Sequence, residues 1–262
     1  MNLKHVALLT CLALIVCTGT LRADNTAYVT FFGGNFGTID LNTGAFTLLG
    51  NSGQTLSGLG VYGGNLYGVT YTVPSGSFYQ VNPANGALTA IGSPSGVDYY
   101  DFGSTLTGLY ALVQVTGNTD LYSINPTTGA ATLIGATGVA ASGVNNLSTN
   151  SSTLYFTSGG DLYTINTSTG TGTLVGYSGG PNFGALVTEG GTLYGGQSSP
   201  TYAVDTINTT TGAATTGPAL SGAGAGLFYG LAPTTTVPEP CTLLLLGCAL
   251  GGCGLLRRRN TA

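Results

Sequence analysis

Between Asp24 and Thr236 the chain has no lysine, arginine, histidine, cysteine, methionine or tryptophan. Each absence closes a class of function. With no basic side chain to neutralise phosphate, this region does not hold nucleic acid. With no histidine, cysteine or lysine it lacks the common general bases and nucleophiles, as well as the nitrogen and sulfur ligands of a zinc site. Without cysteine there are no disulfides, even though an exported protein is free to form them. Stability must then come from a sizeable core and from backbone pairing. Charge is scarce throughout: 262 residues carry five Lys and Arg against nine Asp and Glu, a formal net charge of −4. The acids of the middle region are Asp24, Asp40, Asp98, Asp101, Asp120, Asp161, Glu189 and Asp205. Disorder of the usual kind combines low hydrophobicity with high net charge. A chain that is 42% hydrophobic and 5% charged does not fit it.

The basic residues sit at the two ends. Lys4 precedes an apolar run from Val6 to Val16, and a polar stretch follows. That is the order of regions in a secretory signal peptide, so residues 1–23 are expected to be removed by signal peptidase after Ala23. Cys11 and Cys17 read as small apolar residues of the hydrophobic region.

The middle is a repeat. Five segments align: GTIDLNTGAFTLLG, YQVNPANGALTAIG, YSINPTTGAATLIG, YTINTSTGTGTLVG and DTINTTTGAATTGP. Their turn glycines, Gly44, Gly86, Gly129, Gly170 and Gly212, are spaced by 42, 43, 41 and 42 residues. Five residues before each glycine stands a β-branched apolar residue (Ile39, Val81, Ile124, Ile165, Ile207). An Asx residue follows it (Asp40, Asn82, Asn125, Asn166, Asn208). The pattern predicts a β-hairpin in every copy. The Asx side chain caps the turn, Pro83 and Pro126 preset its dihedral in two copies, and glycine takes the positive φ. A second hairpin precedes most copies, with a strand that begins Leu-Tyr. Two hairpins in about 42 residues make the four-stranded blade of a β-propeller, whose repeats run to about 40–45 residues.

The first copy lacks its innermost strand, while an orphan strand, Ala225 to Ala232, follows the fifth. The fold expected is therefore all-β: a five-bladed β-propeller over residues 24–234, its ring closed by the C-terminal strand. Five blades of about 42 residues match the 210 residues from Asn25 to Thr234. A β-solenoid is the main rival, but its coils are usually shorter and it needs caps that are not found here. The copies resemble the short LY-x-I-(N/D)-x-x-TG repeats of extracellular bacterial propellers, a resemblance that implies fold rather than function.

Chemistry in the body has few candidates. Asp98, Tyr99, Tyr100 and Asp101 bring carboxylates and aromatic rings together in VDYYDF, a combination suited to a neutral glycan. Asp98, Asp120 and Asp161 are expected in connections on one face of the ring and carry enough oxygen for a Ca²⁺ ion, though without its usual spacing. Paired carboxylates would serve a secreted glycoside hydrolase; that, or a glycan-binding propeller, is the alternative to the reading adopted, a structural or adhesive body associated with polysaccharide. No catalytic residue, metal site or cofactor is assigned.

The C-terminal segment, 235–262, reads Val237-Pro238-Glu239-Pro240, then an apolar span, then Arg257, Arg258 and Arg259. From Cys241 to Leu256 the span reaches about 24 Å as a helix, short of the roughly 30 Å hydrocarbon core. It is expected to form a thin transmembrane sorting helix with the arginines cytoplasmic and the body outside. The Pro-Glu-Pro motif, the Leu/Gly-rich span and the arginine cluster, in this order, resemble the PEP-CTERM sorting signal of Gram-negative envelopes. That resemblance implies processing by an exosortase-type protease, display on the cell surface or in the extracellular matrix, and association with exopolysaccharide and biofilm.

Overall fold

The computed structural model describes residues 25–70, 76–92, 96–141, 146–149, 151–177, 182–198 and 201–234. The expected signal peptide and the sorting segment, with Val237, Pro238, Glu239, Pro240 and Arg257 to Arg259, lie outside the described residues. The described chain forms twenty strands, grouped in five four-stranded antiparallel sheets. The first sheet holds β1 (Thr26–Phe31), β2 (Asn35–Asp40) and β3 (Phe46–Asn51). The second holds β4 (Leu56–Tyr62), β5 (Asn65–Thr70), β6 (Phe78–Val81) and β7 (Leu88–Ala90). The third comprises β8 (Tyr99–Thr105), β9 (Gly108–Val115), β10 (Asn118–Ile124) and β11 (Ala131–Ala140). The fourth comprises β12 (Asn146–Leu147), β13 (Leu154–Ser158), β14 (Asp161–Ile165) and β15 (Gly172–Tyr177). The fifth is β16 (Phe183–Glu189), β17 (Thr192–Gln197), β18 (Val204–Ile207) and β19 (Ala214–Thr215). The last strand, β20 (Phe228–Pro233), returns to lie on the inner side of β1.

This is the five-bladed propeller the repeat predicts, and its closure is as expected. Tyr28 lies opposite Ala232 and Val29 opposite Leu231. The Thr234 hydroxyl donates to the Thr26 carbonyl at 2.9 Å. The chain's own final strand thus pairs the edge of β1 that would otherwise be open to another chain.

The turn chemistry recurs in every blade. The side-chain oxygens of Asp40, Asn82, Asn125, Asn166 and Asn208 accept the amide two residues on, at 2.8–2.9 Å. Each turn glycine then donates its amide back to the Asx carbonyl at 2.8–2.9 Å, with φ between 70° and 82°. The β-branched residues beside them, Ile39, Val81, Ile124, Ile165 and Ile207, are all buried. A glycine in or just after the outer strand of four blades has a separate reason. A Cβ at Gly50, Gly92, Gly135 or Gly176 would collide with the carbonyl oxygen of Asn85, Thr128, Thr169 or Thr211, each in the Asx turn of the next blade. Two glycines per repeat thus let neighbouring blades touch backbone to backbone.

The inner strands approach one another as closely. A Cβ on Gly230 would press on Leu59 of β4, and one on Gly58 would press on Phe102 of β8. The Val61 amide donates to Ser104 Oγ at 3.2 Å, the Ser104 amide to the Ser148 carbonyl at 3.2 Å, and the Thr188 amide to the Thr149 carbonyl at 2.9 Å. Thr149 Oγ1 donates to the Leu231 carbonyl at 3.1 Å. The fourth and first blades are separated in the ring by the fifth, so this bond runs across the interior of the ring. In the fourth blade Ser148 continues the pairing past Leu147: its amide donates to the Tyr155 carbonyl and its Oγ accepts the Tyr155 amide, both at 2.9 Å.

Candidate functional site

The two ends of the ring differ in what forms them. One end carries the turns between second and third strands and the connections from one blade to the next. The other carries the first hairpin turns and the Asx turns.

On the first end, the structure separates the residues of VDYYDF. Tyr100 is a bulge: Tyr99 pairs with Val113 and Asp101 with Leu112, leaving Tyr100 extra and half-buried. Tyr99 is fully buried and packs in a cluster with Val69, Phe78 and Phe102. Asp101, 3% exposed, accepts the Leu147 amide from β12. Burial pushes its carboxyl well above the ordinary carboxylate value, against the lowering effect of the amides of Leu147 and Phe102. Tyr99 and Asp101 are therefore framework residues and not contacts offered to a ligand. The bulge is what the plain alternation of the sequence did not reveal.

Asp98 lies in the connection just before β8, half-buried, and its Oδ1 has no hydrogen-bond partner among the described residues. Asp120 and Asp161 are not loop residues as expected, but stand near the starts of β10 and β14. Asp161 accepts the Tyr163 hydroxyl at 3.3 Å. Burial, followed by the Asp161 charge, pushes that phenol up. Among the described residues no group of three or more His, Cys, Asp or Glu is placed to hold a metal ion.

The remaining acids are spread through the framework. Asp40 caps its turn. Asp205 is buried and accepts the Gly217 amide at 3.3 Å. Glu189 ends β16, and burial raises its carboxyl above the ordinary value.

Two cavities lie on the other end of the ring, between blades. One of about 330 Å³ separates the fourth and fifth blades, with Ser151, Ser152, Tyr155, Thr188, Leu193 and Thr209 among its walls. Another of about 230 Å³ lies between the second and third, with Tyr62, Thr107, Leu109, Tyr110, Ser123 and Pro126. Among the described residues neither is lined by a charged side chain. Tyr110 and Tyr155 come from the Leu-Tyr pair near the start of the second strand in four of the blades. That pair is visible in the sequence as a repeat, but its place on a groove wall depends on how adjacent blades meet.

No family model matches the chain, and no curated protein matches it. Solved structures do. A chain of a nidogen/laminin complex is similar at 11% identity and a TM-score of 0.50, over 79% of this chain and 97% of that one. A structural-genomics protein of unknown function from Bacteroides thetaiotaomicron VPI-5482 is similar at 16% identity and a TM-score of 0.56, over 80% of this chain and 62% of that one. At such identities the likeness is one of fold, and what it establishes is a propeller body.

Proposed function

We propose that this chain is an exported propeller displayed on the cell surface or in the extracellular matrix. It is held in the inner membrane by residues 235–262 until an exosortase-type protease acts near Val237-Pro238-Glu239-Pro240. The body then has a structural or adhesive role in contact with extracellular polysaccharide. The observation that carries this reading is where the ring ends. The closing strand finishes at Pro233 and Thr234 ties back to Thr26, so only Thr235 and Thr236 stand between the finished ring and Val237. Cleavage at the motif would cost the propeller none of its strands. The tail is thus a separable handle, comparable to a lipid-anchor signal whose hydrophobic end is discarded.

Deleting Val237 to Ala262 tests the reading. The expected result is a folded propeller released into the medium. Continued surface retention of the deleted chain would mean that the propeller itself holds to the surface and that the tail is not the retaining element.

A further inference from the structure

The two inter-blade grooves match on the side of the later blade. Leu109 pairs with Ile124, and Leu193 pairs with Ile207. Pro126 and Thr209 each follow the Asx residue of their blade's turn, and Thr107 and Gly191 hold matching places in the first hairpin turns. The same junction has therefore opened twice in one ring, on the same end of the molecule.

The chemistry of the walls is selective. Each groove offers a partly exposed tyrosine, Tyr155 in one and Tyr62 in the other, with a buried leucine and several Ser and Thr hydroxyls; Tyr110, which also borders the second groove, belongs to the core. An anionic ligand finds no cation there, because the described residues include no Lys, Arg or His. A cationic ligand finds no carboxylate on the walls. An uncharged sugar ring matches both halves of the lining, because its C–H face packs on the aromatic ring and its hydroxyls exchange hydrogen bonds with the rim. At about 330 and 230 Å³ the grooves lie at or below the small end of ligand clefts, which run to about 300–1,000 Å³. One groove alone is a weak subsite. Two on one face suit a long chain that occupies both, since the second contact is then intramolecular.

We propose that the grooves beside Tyr155 and Tyr62 are subsites for a neutral polysaccharide, engaged together by a single chain. The inference rests on the matrix reading above for where such a polymer is met, and it names the surface that meets it.

The test uses the full chain, purified in a zwitterionic detergent, in affinity electrophoresis against dextran, galactomannan and xyloglucan, with alginate as the anionic comparison. Ser152 and Thr107 are exposed on the rims of the two grooves, so Ser152→Trp and Thr107→Trp block them without entering the core. Unchanged melting by circular dichroism verifies the fold of each variant. The expected result is retardation by at least one neutral polymer, a loss of about tenfold or more in affinity in either single variant as bivalent avidity disappears, and no binding in the double variant. Three results would overturn the inference: no retardation by any of the three neutral polymers, binding that survives in the double variant, or alginate retardation that the double variant abolishes. The display reading is scored separately. If the chain reaches the surface but binds no neutral polymer, only the subsite assignment falls. If the purified chain binds but never reaches the surface, only the display reading falls.

Discussion

Replacing Asp101 separates two energies that the structure places on one side chain. Its carboxylate is the acceptor for the Leu147 amide, which joins the inner strands of the third and fourth blades. Asp101→Ala leaves that amide buried without a partner, a loss of about 1–3 kcal/mol. For a body of this size, 1 kcal/mol moves Tm by about 2–4 °C, so the variant should melt roughly 2–12 °C lower. Asp101→Asn keeps an acceptor and removes the charge. Because burial raises the folded-state pKa of Asp101 above its ordinary 3.8, the folded protein holds this proton more tightly than the unfolded chain. The stabilisation is complete below the ordinary value and is lost as pH rises through the raised one. Glu189 and Asp205 are also raised by burial, from 4.5 and 3.8, and contribute with the same sign. Thermal melts between pH 3.5 and 8 should therefore show the wild type declining as pH rises. Asp101→Asn should decline less, and its advantage over the wild type should grow with pH. A wild-type Tm that climbs with pH, a parallel Asp101→Asn curve, or an Asp101→Ala Tm equal to the wild type would refute the reasoning.

Other substitutions probe the contacts between blades and the turns. Gly176→Ala drives a methyl into the Thr211 carbonyl of the fifth blade and should cost about 1–3 kcal/mol as an overpacking change. Gly226→Ala, where the nearest atom to a Cβ is 3.8 Å away, should be tolerated; equal Tm values for the two would remove the case for backbone contact between blades. Asn166→Ala removes the acceptor for the Ser168 and Thr169 amides, at 2.9 and 3.2 Å. Urea unfolding should show a loss of about 0.5–1.5 kcal/mol, with no change in the slope.

The architecture was legible because it is repeated. The spacing of Gly44, Gly86, Gly129, Gly170 and Gly212 gave the blade length. The orphan strand after the fifth copy gave the closure, since a local pattern written five times leaves few ways to fold. The Asx residues were equally readable, because the amide each one caps lies two positions away. Harder to read was anything set by neighbours distant in the chain. Nothing near Asp101 in sequence announces that Leu147 will take its carboxylate, and nothing near Tyr99 announces the bulge at Tyr100. Asp120 and Asp161 looked like loop residues because their strands open directly after glycine turns. The grooves beside Tyr110 and Tyr155 belong to this second class. The Leu-Tyr pair is plain in the sequence, yet whether its ring faces a packed seam or an open one depends on the blade beyond.

The most direct measurement is the intact mass of the protein recovered from the cell surface. Display after processing predicts a chain that begins near Asp24 and ends near Val237 to Pro240, with the propeller complete and the arginines gone. A surface form whose mass still includes Arg257 to Ala262 would contradict it.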